Sequence, residues 1–436
     1  MKLLKPIGWS PIVLLTATLL TCTQPALAGN SPYQSGAETA AMPDVGNETS
    51  GELTLRKAVD LTLRFNPELA SFDKEIRALE GLTLHAGLLS NPVLGLIGDE
   101  IGRDHSTAIR LSQLIELGGK RNARVVAASA AREVAERDFA ARRNEILTRL
   151  AQTFTDVLAA QRRTTLAGQN LQLARKVTDA VAKRVQAGKV SPVEETKARL
   201  VSSSAGIELE QAQRDLSASR KRLTLFWGNA SPQFSKATGN LEALIDLPPL
   251  NVLTERMGSN PKLLRSAKNV SQRQALLELE KTRRIPDVTI GAGIKRFHVD
   301  SENTLVFDVG IPLPVFDRNQ GNLQAAYQRL DKSQDEQRAT ELRVTSDLVQ
   351  TYEAIAAAEN QIRTLRNEIL PGAESAFDAA NKGYQLGKFG FLEVLDAQRT
   401  LFQNQALYLQ AIAAYQRLIA DLERLVAAPL DKSSPN

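Results

Sequence analysis

The amino-acid sequence predicts a mainly α-helical protein with a small β part, built from two similar halves. Between its terminal glycines, the stretch 119–188 has no proline, one internal glycine (Gly168), and apolar residues three or four positions apart. This is the spacing of a helix that buries one face. Such a helix extends roughly 100 Å and needs neighbouring helices, because helical stability comes mainly from packing. The same order of elements recurs 194 to 199 residues later.

The first 28 residues are predicted to be a cleaved signal peptide. Lys2 and Lys5 precede a short apolar run, and Ala26–Ala28 has the small residues of a cleavage site. Lipidation of Cys22 is the competing interpretation, although the threonine before it suits a lipidation motif poorly. Residues 29–50 are small, polar and aperiodic, which predicts a flexible lead-in.

Charge and cysteine content narrow the class of protein. The net charge of +5 falls to +3 without the two N-terminal lysines, and the arginines alternate with acids along predicted helices. This pattern is typical of solvated helix faces and does not indicate nucleic-acid binding. Cys22 is the only cysteine, so the processed chain would have no thiol chemistry. Beyond the signal peptide no stretch reaches the about 18 apolar residues of a transmembrane helix.

The first half is predicted to span residues 51–249. A short helix begins near its start, and Asn66–Pro67 ends it and begins a second helix. Residues 93–101 and 106–117 are predicted to form two strands, in which apolar residues alternate with small or polar ones. The long helix follows and ends at Gly188, and a Ser-Pro pair then begins the returning helix.

The second half is predicted to span residues 250–428 and to repeat this order. Residues 287–297 and 303–313 are its predicted strands, and residues 319–386 are its long helix. A returning helix follows, and residues 429–436 are predicted to be a loose tail.

Two details of the second half are also predicted. Pro371–Gly372 should kink the long helix, since proline cannot continue the backbone hydrogen bonds. The apolar stripe of the returning helix is predicted to comprise Leu392, Leu395, Phe402, Ala406, Leu409 and Ala413.

The strands carry a functional implication. Each pair has one apolar face and one small or polar face, as a wall between lipid and water does. Their lengths are close to the about 9–11 residues that cross a bilayer at a tilt. Open sheet edges are not tolerated in lipid, and four strands are too few to close, so strands from several chains would have to be pooled. The alternative interpretation is a pair of ordinary hairpins that cap a soluble bundle.

Four segments carry motifs at corresponding places in the two halves. They are Leu111–Arg121, Gly310–Asn322, Gly383–Gly387 with Leu392–Gln398, and more weakly Arg184 and Gly188 with Glu194–Ala198. Together they resemble the TolC family of outer-membrane efflux channels, over about residues 52–427. The amino-acid sequences of the first two segments are most similar to those of the branch that serves heavy-metal RND pumps of the cobalt–zinc–cadmium or copper–silver type.

The resemblance implies an architecture and a role. It implies a homotrimer in outer-membrane lipid, with a shared twelve-strand β-barrel and a periplasmic α-barrel of long helices. Such a channel is a passive exit duct without enzymatic chemistry. It docks through its helical tips onto a periplasmic adaptor protein, which serves an inner-membrane RND pump.

The resemblance places adaptor contacts at the two helical turns. The candidate residues, expected to be exposed there, are Arg184, Gly188, Lys189, Val190, Gly387, Lys388 and Phe389. The simpler interpretation of Gly188 and Gly387 is that each caps the C-terminus of a helix, and both roles are compatible.

No catalytic, cofactor or metal site is predicted. His85, His105 and His298 are far apart in sequence, and no metal-ligand spacing connects them. Heavy-metal cations are the expected cargo. An exit duct for drugs or for type I protein secretion, and a soluble periplasmic coiled-coil scaffold, are the alternatives.

Overall fold

The computed structural model describes residues 51–101, 104–298 and 302–430, and its order of elements runs twice through two helices, two antiparallel strands, a long helix and a returning helix. Cys22, the predicted signal peptide, the lead-in and the last six residues lie outside these ranges. The elements of the first half are β1 (Glu52–Thr54), α1 (Leu55–Phe65), α2 (Pro67–Ala86), β2 (Val93–Ile101), β3 (Asp104–Ile115), α3 (Lys120–Gln186), α4 (Pro192–Thr224) and β4 (Lys236–Thr238). Those of the second half are α5 (Leu250–Arg256), α6 (Pro261–Thr282), β5 (Val288–Phe297), β6 (Asn303–Gly310), α7 (Gln320–Thr364), α8 (Leu370–Gln385) and α9 (Phe391–Val426).

Two asparagines show how closely the halves correspond. The Asn66 side chain accepts a hydrogen bond from Leu69 N at the start of α2, and its amide donates to Phe226 O at 2.7 Å. Asn260 caps α6 in the same way and donates to Leu425 O at 2.8 Å. Each asparagine therefore begins one helix with a side-chain cap and ties it to the end of the returning helix of its own half.

The second long helix is interrupted at a different place from the one predicted. A π-helical turn at Leu365–Ile369 separates α7 from α8, so the irregularity lies just before Pro371. Proline has no N–H, and its ring would clash with the carbonyl four residues earlier in a regular helix. The wider π turn accommodates the ring, and the helix then continues through Gly372.

The four long strands form one antiparallel sheet in the order β2-β3-β5-β6. The pairing of β3 with β5 joins the two halves, and β2 and β6 are the edges. One face of the sheet is apolar and exposed, with Leu94, Leu96, Ile109, Leu111, Ile290, Ile294, Leu305, Phe307 and Val309. The other carries Gly95, Arg110, Ser112, Gly291, Gly293, Lys295 and Asp308. The predicted alternation is confirmed, although β3 begins at Asp104 and β6 ends at Gly310, before the two prolines.

An ion pair crosses the polar face of the sheet. Arg110 Nη1 of β3 lies 3.6 Å from Asp308 Oδ1 of β6, although β5 runs between these strands. A Cβ atom at Gly291 would collide with the Asp308 carboxylate, and one at Gly293 would collide with the β3 backbone. The two glycines therefore let side chains of the two halves meet across the central strand.

Packing between helices supplies the core. Among the apolar residues that recur three or four positions apart on α3, Ile146, Leu150, Phe154 and Val157 are buried. The stripe predicted for α9 was wrong at its start, because Phe391 is 2% exposed and Leu392 62% exposed, and it was wrong at Ala406, which is also exposed. Within the described ranges, no helix is both long and apolar enough to span a membrane.

Candidate functional site: the paired helical turns

The turns that end α3 and α8 have the same backbone geometry. Gly188 and Gly387 adopt left-handed conformations, with φ of 66° and 74°. Lys189 N donates to Arg184 O at 2.9 Å, and Lys388 N donates to Gly383 O at 2.8 Å. These bonds, with those from each glycine N–H to the carbonyl three residues earlier, form Schellman caps. The two glycines are therefore C-cap residues, as the simpler interpretation predicted.

The helices that leave the turns begin differently. The Ser191 hydroxyl accepts a hydrogen bond from Val193 N at 3.3 Å, and Pro192 occupies the first turn of α4. At the corresponding place before α9, Gly390 has no side chain with which to cap the helix. The start of α9 therefore lacks a contribution of a few tenths of a kcal/mol or more that a serine cap supplies.

Tyr384 joins the two turns. The Arg184 guanidinium donates to Tyr384 O, and its Cζ lies 4.3 Å from the centre of the tyrosine ring. The Tyr384 hydroxyl donates to Glu194 Oε2 on α4 at 3.1 Å. Tyr384 is thus held by residues on both sides of the first turn, through a cation–π contact and a charge-assisted hydrogen bond.

The surroundings of Tyr384 change its acidity. Burial of the side chain, together with the hydrogen bond to the Glu194 carboxylate, raises the pKa of Tyr384 to about 12. The hydroxyl therefore stays protonated at neutral pH and can donate its hydrogen bond to Glu194.

An apolar cluster lies beneath this link and packs the turns together. The Tyr384 and Phe391 ring centroids are 5.7 Å apart, with the planes tilted by 52°. The other buried members come from four helices: Val177, Val181, Ala198, Ala373, Phe377, Ala380, Val394 and Leu401. The first half and the second half therefore share one core at their turns.

The predicted site residues differ in exposure. Gly188, Lys189, Gly387 and Lys388 are exposed, as expected. Arg184 and Val190 are only half-exposed, so the expectation was wrong for them, and Arg184 is engaged by Tyr384.

Phe389 has a structural role as well as an exposed edge. Its side chain is 50% exposed, but a methyl group at Gly383 would collide with its ring. The aromatic side chain therefore packs over a glycine at the end of α8 and presents its other side outwards.

Sequence reasoning had not selected Tyr384 or Glu194 as site residues. Both lie in segments that carried the family resemblance, but their contact joins positions 190 residues apart. No local pattern in the sequence reports such a pairing.

The two turns carry groups that can bind a partner. In the part of the chain that the structure describes, no group of three or more His, Cys, Asp or Glu side chains is placed to hold a metal ion. The turns instead offer exposed lysines, an exposed aromatic edge and a hydrogen-bonded link that can be made or broken. Such a surface can dock a partner and change conformation.

Comparison with known proteins gives consistent results. The family described as "Outer membrane efflux protein" matches residues 81–229 and 252–428. The "Cobalt-zinc-cadmium resistance protein CzcC" of Cupriavidus metallidurans is 39% identical over 394 residues, which cover 90% of this chain and 94% of the relative. The "Nickel-cobalt-cadmium resistance protein NccC" of Alcaligenes xylosoxydans xylosoxydans is 25% identical over 287 residues, 63% of each chain.

A solved structure shares the fold. The crystal structure of CusC, described as showing conformational changes that accompany folding and transmembrane channel formation, superposes with a TM-score of 0.74. It covers 86% of this chain and 92% of its own, at 18% sequence identity.

Proposed function

The chain belongs to the outer membrane efflux protein family, and we propose that it is the exit duct through which a tripartite system expels heavy-metal cations. Membership of this family places the protein in the outer membrane. The identity of 39% to a cobalt–zinc–cadmium resistance protein, along almost the whole chain, is the observation that carries the proposal of a metal cargo. The family is one of efflux proteins rather than enzymes.

The sheet supports a shared barrel in a homotrimer. Its apolar face suits contact with outer-membrane lipid, and its polar face suits a water-filled lumen. β2 and β6 are open edges, which lipid does not tolerate. β6 runs towards the helices and β2 runs away from them, so β6 of one chain and β2 of the next would pair antiparallel. Three chains would then close twelve strands.

The paired turns support docking and gating at the opposite end of the protein. Lys189, Lys388 and Phe389 are available to a periplasmic adaptor, which in turn serves an inner-membrane RND pump. The link of Tyr384 to Arg184 and Glu194 holds the second-half turn against the first. Opening would separate the turns at this link and leave the two Schellman caps intact.

Growth of a deletion strain tests the cargo. The strain is grown on Zn, Co, Cd, Ni, Cu and Ag salts and on hydrophobic drugs, with and without the gene supplied again. Selective sensitivity to one or more metals is the expected result. Sensitivity to drugs alone would assign the chain to multidrug export, and loss of a secreted protein would assign it to type I secretion.

Charge reversal tests the docking role of the turns. The double variant Lys189→Glu with Lys388→Glu should reduce metal resistance while the protein still assembles in the outer membrane. The control is Lys332→Glu, an exposed lysine on α7. Full resistance in the double variant would show that the adaptor contacts other residues. Recovery of the wild-type chain as a soluble monomer would instead support the coiled-coil scaffold.

A further inference from the structure

The apolar stripe of β6 continues past the end of the strand. Leu305, Phe307 and Val309 alternate along β6, and Ile311, Leu313 and Val315 continue the same alternation beyond Gly310. Leu313 is 79% exposed and the following Phe316 is 91% exposed. We call residues 311–316 the apolar extension.

The apolar extension cannot simply lengthen the sheet. Pro312 and Pro314 have no N–H to donate to a neighbouring strand. Val315 N instead donates to Leu313 O at 2.8 Å, which makes a tight local turn. The extension therefore presents side chains rather than backbone groups to whatever covers it.

A second exposed apolar surface comes just before β2, which is the edge strand opposite β6. Leu84, Leu88 and Leu89 lie at and just after the end of α2, and all three are exposed. Three residues separate Leu89 from Val93, the first residue of β2. We call these three residues the leucine patch.

The apolar extension and the leucine patch lie at the same end of the sheet. Val93, the first residue of β2, pairs with Ser112 near the end of β3. Gly310, the last residue of β6, pairs with Thr289 near the start of β5. Both pairings are at the end of the sheet that adjoins the helices. The leucine patch therefore lies at this end next to β2, and the apolar extension lies at the same end next to β6.

Charged groups at this level argue against a cover of hydrocarbon. Lys120 Nζ lies 2.6 Å from Asp287 Oδ1, and the Arg124 guanidinium is paired with Glu116. Arg124 also donates to Leu88 O at 3.4 Å, which places this ion pair beside the leucine patch. Charges are costly inside a bilayer, so a protein surface suits this level better than lipid tails do.

We propose that the apolar extension of one copy packs against the leucine patch of the next copy of the same chain. The inference rests on the proposed homotrimer. It adds a contact between neighbouring chains at the end of the barrel that adjoins the helices. When β6 of one chain pairs with β2 of its neighbour, the two surfaces are brought together. Repeated around the trimer, they form an apolar collar between the sheet and the helices.

Crosslinking between copies tests this contact. The double variant Leu89→Cys with Phe316→Cys is treated with a bismaleimide crosslinker in outer membranes. Denaturing gels should show covalent dimers and trimers, which the two single variants should not give. The matched control is Leu200→Cys with Phe316→Cys, since Leu200 is an exposed leucine on α4. A native gel run in parallel reports assembly.

The outcomes separate the collar from the trimer. A trimer on the native gel without any Leu89→Cys to Phe316→Cys product would overturn the collar and leave the trimer standing. A monomer on the native gel would contradict the proposed assembly itself. Quenching of a Phe316→Trp variant by brominated lipid tails, absent for Trp227, would overturn the collar in favour of a lipid contact.

A second variant measures the energetic contribution of the collar. Phe316→Ser should weaken the trimer roughly tenfold or more, the loss typical when a buried aromatic anchor is removed from an interface. Dissociation of the purified trimer on dilution is the measurement. Equal dissociation of Phe316→Ser and wild type would also overturn the collar.

Discussion

The hairpin α3–α4 of the first half and the hairpin α8–α9 of the second reverse direction through turns of the same length. Their C-cap glycines have matching conformations. They nevertheless pack their helices with different side chains. The turn itself therefore requires the C-cap glycine, whereas the side chains packed between the helices can differ.

Small residues bring α3 and α4 close together. Every seventh residue on the inner face of α4 is small and buried: Ala198, Ala205, Ala212 and Ser219. Two threonines of α3 use this proximity to donate to the α4 backbone. Thr178 reaches Ala198 O at 3.1 Å, and Thr164 reaches Ala212 O at 3.2 Å. The distance between helix axes depends on the side chains at the contact, so alanine makes these bonds possible.

Large residues and irregularities mark the second hairpin. Phe377, Tyr384 and Phe391 fill its interior at the turn. Gln398 is buried on the same face of α9, and neither of its amide atoms has a hydrogen-bond partner in the described part of the chain. A π turn lies between α7 and α8, and α9 begins without a side-chain cap.

These differences indicate different tasks. In the first hairpin, two threonine side chains of α3 donate hydrogen bonds to the backbone of α4 at separate places along the helix, which suits a fixed scaffold. The second contains features that lower the free energy of local opening: an unpaired buried amide, an uncapped helix start and a helical irregularity. Local opening is measured by hydrogen exchange of backbone amides, which allows residues 160–219 of the first hairpin to be compared with residues 373–402 of the second.

The largest expected effect comes from an aromatic side chain of the second hairpin. Phe377→Ala should lower the free energy of local opening of α8 and α9 by about 3–5 kcal/mol, because it leaves a cavity in the shared cluster. The control Leu171→Ala removes a buried side chain of the first hairpin and should act on α3–α4 only. Equal loss in both hairpins from either variant would show that they open as one unit.

A substitution in the alanine row should affect the first hairpin selectively. Ala212→Leu introduces a larger side chain at a buried position of the α3–α4 contact and should destabilise α3–α4 by about 1–3 kcal/mol. The bond from Thr164 should be lost as the helices separate. Ala406→Leu on α9 is the control, because Ala406 is exposed. If hydrogen exchange in α3–α4 were unchanged, close packing would not be what stabilises this hairpin.

Periodicity predicted most of the architecture, because it reports local geometry and burial. The duplicated order, the long α3 and the two-faced strands all follow from spacings of two, three or four residues. The same signal was insufficient at the start of α9, where Phe391 and Leu392 are both apolar and two stripes fit. Packing against Tyr384 decides between them. The three-residue pair β1–β4 is too short to give a periodic signal.

The sequence predicted the two backbone turns of the candidate site but not the side-chain contacts between them. Gly188 and Gly387 could be located because a helix that ends in a left-handed residue favours glycine. The link between Tyr384, Arg184 and Glu194 depends on how the two halves are placed side by side. That placement results from the shared core at the turns and the β3–β5 pairing, and no single segment encodes it.

The buried amide predicts a change in the opposite direction. Gln398→Leu removes two unpaired polar atoms from an apolar cluster and should stabilise the second hairpin by about 1–3 kcal/mol. Slower exchange in 373–402, with reduced metal resistance, would support a turn that must open. Gln403→Leu, at an exposed position of the same helix, is the control. Loss of stability in Gln398→Leu would show that the amide is hydrogen-bonded in the assembled protein.

The smallest effect concerns the link between the turns. Tyr384→Phe removes the hydrogen bond to Glu194 and should promote opening by about 1 kcal/mol at neutral pH. Because the pKa of Tyr384 is raised to about 12, the folded state favours the protonated hydroxyl. This stabilisation is complete below the usual tyrosine pKa of about 10 and is lost as the pH rises from there through 12. Relative to the base-catalysed intrinsic exchange rate, the wild-type turns should therefore lose protection across that window, and the protection of the Tyr384→Phe turns should not change. A pH response that persists in Tyr384→Phe would assign it to another group and leave the link without its proposed role in holding the turns together.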